Sequence, residues 1–145
     1  MKSKNFYRKP LDESEIIRVD TSSPAHKGRL NNAVDFLCKE GTKICASQEG
    51  EVVEIVNDKK ETTSDLNDAG NFILIKHKNN EFSHYAHLKY RGILVKKFEK
   101  VKQGQLIAYS NNTGFSYGPH LHFSVIKFNS KNKGDFESLE IRWTQ

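Results

Sequence analysis

An all-β fold is what this sequence predicts, and three observations predict it. Short strand-like stretches recur at intervals of roughly ten residues, separated by turn residues. Almost no segment carries helical periodicity. The stretch His120-Leu121-His122-Phe123-Ser124-Val125 alternates histidine or serine with apolar residues, which in a strand puts the polar groups on one face and the apolar ones on the other. The expected architecture is a sandwich or barrel-like domain with long surface loops.

Taken in order, residues 1–23 read as an extended or irregular lead-in, with a short strand or helical turn within 13–19. Thr21-Ser22-Ser23-Pro24 is a loop signal. Strands are expected at 33–38, 43–47 and 51–56, the last with strong β character. Residues 57–70 are polar, charged and aperiodic, so they read as a long surface loop. Loops of that length are often functional. Residues 71–77 make the clearest strand by composition. A hairpin turn at 78–81 returns the chain antiparallel along 82–88. A short strand at 93–95, a turn at 101–105 and a strand at 106–110 follow. A glycine-containing loop, 111–119, delivers the chain into the strand 120–125. A polar turn at 129–135 and a last strand at 139–143 complete the chain.

At 145 residues the chain suits one domain with a real core. Its net charge of +5 suits an anionic partner such as the bacterial cell wall. That charge is scattered, with no Arg-rich run or recognition helix, so nucleic acid is not the expected partner. No apolar run is long enough to span a membrane. The first 22 residues lack a signal-peptide apolar core, so either the protein works inside its cell or its export signal has been removed or lies outside this chain. Cys38 and Cys45 flank Lys39-Glu40-Gly41-Thr42, where they either face each other across a hairpin or serve as two small buried hydrophobes.

The histidines carry the chemistry. There are six, at positions 26, 77, 84, 87, 120 and 122. A catalytic zinc site needs three protein ligands and an open position for water, and a neighbouring imidazole to move the proton. His120 and His122, on one strand face, are a natural half-site, and Asp35 is a well-placed carboxylate.

Several ordered groups of residues then resemble the lysostaphin-type (LytM-type) zinc metallopeptidases. The first is His26 with Ala33-Val34-Asp35-Phe36, Gly41-Thr42, Ala46 and Gly50-Glu51-Val52-Val53. The second is Asn71 and His77 with Tyr85-Ala86-His87-Leu88, followed by Val101-Lys102-Gln103-Gly104-Gln105-Leu106-Ile107-Ala108. The third is Asn112-Thr113-Gly114-Phe115-Ser116-Tyr117-Gly118-Pro119-His120-Leu121-His122-Phe123. The resemblance implies an antiparallel β-sheet groove, with residues 24–145 as a single metallopeptidase domain. It implies Zn²⁺ held by His26, Asp35 and His122, and catalytic roles for His87 and His120. It also implies hydrolysis of peptide bonds in peptidoglycan, in stem peptides or cross-bridges, and an extracytoplasmic place of work.

The chain departs from the commoner pattern in two ways. Eight residues, Lys27 to Val34, separate His26 from Asp35 where three are usual, as in a long-spacing subgroup with an Ala-Val-Asp-Phe motif. The rim of the cleft is expected to differ accordingly. The tyrosine that some members carry just before the first histidine is absent, since no Tyr lies between Tyr7 and Tyr85. The histidines and the metal would supply oxyanion stabilisation instead. Of the other residues, His77 reads as structural or solvent-facing. His84, three residues from His87, is expected on the opposite strand face. Tyr85 and Tyr109 read as packing residues, and Asn71 as a brace for the cleft. The rival functions are a non-catalytic LytM-like module that activates other wall hydrolases, and a β-fold phosphocarrier using a His pair. The first predicts vacant ligand positions, and all five are filled here. The second needs neither Asp35 nor His26.

Overall fold

The structure is a computed structural model that describes residues 1–22, 26–60, 68–114, 118–129 and 134–144. Among these residues the strands are β1 (Lys2–Tyr7), β2 (Arg18–Asp20), β3 (Val34–Leu37), β4 (Lys43–Cys45), β5 (Gly50–Val56) and β6 (Asn71–Lys76). They continue as β7 (Phe82–Leu88), β8 (Lys100–Val101), β9 (Leu106–Tyr109), β10 (His120–Phe128), β11 (Phe136–Ser138) and β12 (Glu140–Trp143). The only helical pieces among the described residues are three single 3₁₀ turns, so the expected all-β class is observed. No helix there is long and apolar enough to cross a membrane.

The main sheet runs β2-β3-β10-β7-β6-β5-β8, with β11 pairing on β10 beyond the end of β3, and every pairing in it is antiparallel. Register assigns its two faces. Leu121 opposes Phe36, Phe123 opposes Tyr85, and Tyr85 opposes Ile73. All five are buried, and the core extends from them to Ile44, Ile107 and Ala108 of the separate β4–β9 ribbon. Burial of these large side chains contributes about 1.5–3 kcal/mol each. The alternate residues, Asp35, His122 and Ala86, share the other face.

Three expectations about the elements are corrected. The first 22 residues are built into the fold rather than leading up to it. β1 pairs in parallel with β12, β2 pairs with β3, and Tyr7 and Leu11 are buried in the core. β1 is anchored by Glu81, whose carboxylate accepts from the Lys4 and Asn5 backbone N–H groups and from the Tyr7 hydroxyl (2.6, 3.1 and 3.0 Å), and the rest of the segment by the Cys45 N–H to the Pro10 carbonyl and the Ile17 N–H to the Leu37 carbonyl. The 13–19 stretch holds both a 3₁₀ turn, Glu13–Glu15, and the start of β2. Residues 93–95 form no strand. Ile93 and Val95 are buried, and the Leu94 N–H donates to the Ile107 carbonyl without extending a ladder. Val101, expected in a turn, pairs with Gly50 in β8, and the turn falls at Gly104, whose φ of +86° needs a glycine. β11 was not foreseen, and residues 130–133 of the expected polar turn lie outside the described residues.

Cys38 and Cys45 are free thiols. They do not face each other across a hairpin, because β3 pairs with β2 and β10 while β4 pairs with β9.

Candidate metal centre

The centre begins with a register. β10 and β3 pair His122 directly opposite Asp35, and His120 opposite Leu37. His120 and His122 therefore share the Asp35 face, as the alternation predicts. His26 arrives from the loop before the 3₁₀ turn Gly28–Leu30, which takes up part of the long spacing to Asp35. The same turn supplies Arg29 and Leu30 to the groove wall.

Three donor atoms converge. His26 Nε2 lies 3.1 Å from Asp35 Oδ1 and 3.3 Å from His122 Nδ1, and His122 Nδ1 lies 3.1 Å from Asp35 Oδ1. All three residues are buried. Hydrogen bonds do not close this triangle. A ring nitrogen either donates or accepts, and a carboxylate only accepts. If both rings donate to Asp35, two donors face each other across the third side. If one ring accepts, it faces the carboxylate acceptor. A cation at the centre satisfies all three sides together. The spacing suits it, since a tetrahedron with metal–ligand bonds of about 2.0–2.1 Å has edges of about 3.3 Å. The donor set of two imidazoles and one carboxylate is a known catalytic zinc set.

The electrostatics agree. Burial opposes the charge on Asp35, yet hydrogen bonds from His122 and His26 hold its carboxyl well below the usual range. Burial also opposes charge on His26, but Asp35 outweighs it and the His26 pKa is raised. For His122 burial wins over Asp35 and the pKa is lowered, which favours the neutral ring a metal needs.

Two more imidazoles flank the triangle. His87 Nδ1 donates to the Thr113 carbonyl at 2.6 Å, and His120 Nδ1 donates to the Gly118 carbonyl at 2.8 Å. In a neutral ring each of these bonds leaves the lone pair on Nε2. The two ring centroids are 4.7 Å apart, and His120 Nε2 is 3.6 Å from Asp35 Oδ1. Burial, then the charges of His122 and His120, pushes the His87 pKa down to about 3.

His87 reaches this face only through a bulge. Between the pairs Ile73–Tyr85 and Asn71–Leu88, β6 advances two residues while β7 advances three. The extra residue is taken up at His87, with φ of +61° and its N–H donated to Ala69. The bulge overturns the parity argument for His84. His84 lines the groove on the same side as His87, with its ring centroid 6.2 Å from that of His122. No signal in the sequence marks the bulge.

The loops around the centre are tied by Asn71. Its side chain donates to the Lys59 and Leu88 carbonyls and accepts from the Lys59 N–H, and its own N–H donates to Thr113 Oγ1. Gly70 and Gly114 cross so closely that a Cβ on Gly114 would strike the Gly70 and Asp68 backbone. Thr113, whose carbonyl orients His87, was not singled out in the sequence. Residues 61–67 of the long loop lie outside the described residues, but its end, Asp68 and Ala69, lines the groove. The groove is a cavity of about 330 Å³ that runs from His122 and His87 along β10 to Phe128.

Comparison with known proteins follows this geometry. The chain is 41% identical over 96 residues to the peptidoglycan DD-endopeptidase ShyA of Vibrio cholerae, covering 66% of this chain and 20% of that protein. It is 36% identical over 132 residues to ShyC of the same organism, covering 85% of this chain and 27% of that protein. The chain thus spans only about a quarter of the length of these relatives. Among solved structures it is similar to a zinc-containing peptidase from Vibrio cholerae, with a TM-score of 0.65, 31% identity, and coverage of 83% of this chain and 36% of that one. It is also similar to the catalytic domain of lysostaphin from Staphylococcus simulans, with a TM-score of 0.57, 26% identity, and coverage of 86% and 80%. The model of peptidase family M23 matches residues 29–134, a stretch that holds Asp35, His87, His120 and His122, and to that family this chain belongs.

Proposed function

We propose that this chain is the zinc-dependent endopeptidase domain of a bacterial cell-wall hydrolase and cuts peptide bonds in peptidoglycan. His26, Asp35 and His122 hold Zn²⁺, and His87 and His120 are the catalytic histidines. Residues 24–145 form the metallopeptidase domain, with residues 1–22 packed onto it as an integral edge. The work is extracytoplasmic, as the DD-endopeptidase relatives suggest. The observation that carries this reading is the donor triangle of 3.1, 3.1 and 3.3 Å, which no protonation of the two rings satisfies while Asp35 is ionised.

Bound there, zinc supplies Lewis acidity and a water that ionises near neutral pH. The chain's own residues do the rest. Asp35 offsets part of the positive charge. The His87 and His120 rings are fixed by backbone carbonyls, so that their Nε2 atoms are the proton-accepting ends. One of them takes a proton from the attacking water, and the pair returns a proton to the leaving amine. As imidazolium and N–H donors they also stabilise charge developing on the carbonyl oxygen. The Thr113 and Gly118 carbonyls stabilise a charged ring as well as a neutral one, so each proton is held without reorienting the ring.

The test is digestion of purified peptidoglycan by the zinc-loaded protein, with mass spectrometry of the fragments and metal analysis of the same sample. Cleavage of stem or cross-bridge peptides with one zinc per chain supports the reading. Zinc-loaded protein that cuts no peptidoglycan or oligoglycine substrate removes it. The activator-module alternative is disfavoured by the complete donor set.

A further inference from the structure

One polar pair on the groove floor is left unused by the proposed chemistry. β10 and β7 pair Ser124 with His84, one same-face step along each strand from His122 and Ala86. Such a step is about 6.8 Å, the length of two residues of an extended peptide. Ser124 is wholly buried, and its Oγ finds no hydrogen-bond partner among the described residues. His84 stands between His122 and Phe72, with ring centroids 6.2 and 5.1 Å away. Both Ser124 and His84 line the 330 Å³ cavity that contains the His122 and His87 side chains, and Phe72, Leu74, Ile126 and Phe128 line it around them.

A buried hydroxyl without a partner carries a desolvation cost that an alanine in the same place would not. A substrate group that reaches Ser124 removes that cost. A hydroxyl and an imidazole each donate and accept, which matches an amide with its N–H and C=O. Neither a hydroxyl nor a neutral imidazole supplies a counter-ion, so the pair itself matches an uncharged group, while Arg29, Glu54 and Asp68 also line the cavity.

We propose that Ser124 and His84 form a specificity subsite that hydrogen-bonds an uncharged amide of the peptide substrate within about two residues of the scissile bond. This rests on the endopeptidase reading above. The amide is either a backbone peptide group or a carboxamide side chain. Matched peptides carrying carboxamide or carboxylate at that position separate the two. A carboxylate peptide that is cut as well as its carboxamide twin assigns the backbone amide, and a peptide cut only as the carboxamide assigns the side chain.

The experiment compares zinc-loaded wild type with Ser124→Ala and His84→Phe, the second chosen to keep a ring against Phe72. Zinc content, thermal midpoint, kcat and KM on peptidoglycan-derived peptides are measured for each. Both variants should keep zinc. Ser124→Ala should keep or raise the midpoint, because it removes an unsatisfied buried hydroxyl. KM should rise several-fold to about tenfold with kcat little changed, as expected for one lost neutral hydrogen bond. The double variant should lose less than the product of the two single effects. An unchanged KM in both variants overturns the subsite. So does a lowered midpoint in Ser124→Ala with unchanged KM, which would mark a structural hydroxyl. Peptide titration by NMR separates this from the parent reading. A wild type that binds the peptide without cutting it removes the endopeptidase reading, while weaker binding by Ser124→Ala still supports the subsite. A wild type that binds no peptide overturns the subsite itself.

Discussion

Two buried clusters of histidine and carboxylate lie on opposite faces of the same sheet, and they differ in whether their hydrogen bonds close. On the core face, His77 Nδ1 donates to the Glu49 carbonyl at 2.6 Å, and Nε2 meets Ser83 Oγ at 2.7 Å. Ser83 is hydrogen-bonded to the Tyr85 hydroxyl at 2.8 Å, which also accepts the Ser47 N–H at 2.9 Å. With His77 neutral, one order of protons satisfies every link: Ser47 to Tyr85, Tyr85 to Ser83, Ser83 to His77, and His77 to Glu49. Nearby, Glu81 accepts three donors from β1. On the groove face the His26–Asp35–His122 triangle has no such solution. Burial is common to both clusters. What separates a structural cluster from a metal-binding one is the proton arithmetic.

The sharpest way to break this contrast is to remove one corner of each cluster. Asp35→Ala or His122→Ala should abolish zinc retention and reduce peptide cleavage to background. Glu81→Ala should leave zinc stoichiometry at the wild-type value. Metal analysis after dialysis decides it, and zinc loss in folded Glu81→Ala would erase the distinction. Next in size are the flanking imidazoles. His120→Ala and His87→Ala should keep zinc while turnover falls about 10²–10⁴-fold, the usual worth of a general acid–base group. Equal metal loss in His120→Ala and His122→Ala would overturn the division of roles between them.

The two faces were not equally legible. Strand alternation placed His120 and His122 together and set Leu121 and Phe123 in the core, because a period of two is a property of the backbone itself. The motif groups brought His26 and Asp35 to the same place. His84 escaped, because a parity count fails wherever an extra residue enters the strand, and the positive φ at His87 has no residue-type signature. The N-terminal segment escaped for a different reason. The anchor of its first strand is Glu81, whose burial at 2% exposure is a tertiary fact that no local pattern around Lys78-Asn79-Asn80-Glu81 announces. Tyr7 follows Phe6 in an otherwise polar stretch, and nothing local marks it as the buried one of the two until Glu81 and His77 are placed beside it, the His77 ring at 5.4 Å.

The stability of the core-face cluster gives a smaller effect. Glu81→Ala strands two backbone N–H groups and the Tyr7 hydroxyl, and leaves β1 tied to the hairpin at Lys78–Asn80 by the Asn5 side chain, which bonds the Lys78 carbonyl and the Asn79 amide. The expected loss is about 2–4 kcal/mol, since each buried donor left unpaired costs about 1–3 kcal/mol and part of the β1 backbone can reach water. Urea unfolding with zinc present measures it. A change below about 0.5 kcal/mol, the range of ordinary surface substitutions, would show that β12 and the Asn5 and Gln48 bonds hold β1 without Glu81.

The smallest predicted effect tests the neutral state that the closed network requires of His77. Burial lowers the His77 pKa, against the hydrogen bond to the Glu49 carbonyl and the charges of Glu81 and Glu49, which raise it. In the unfolded chain a histidine titrates near 6.5. Above that pH neither state binds the proton, and the contribution to stability is complete. Below it the unfolded chain takes up a proton that the folded protein refuses, so stability falls as the pH falls toward the folded pKa. His77→Gln removes that proton from the balance. Its height on the stability axis will drop from lost packing against Tyr7, but its slope below pH 6.5 should be shallower than wild type by up to one proton, about 1.4 kcal/mol per pH unit. The comparison is made with a chelator present, so that acid release of metal from the groove face contributes to neither protein. Equal slopes would mean that folded His77 takes the proton too, and the core-face cluster would then be no more closed than the triangle across the sheet.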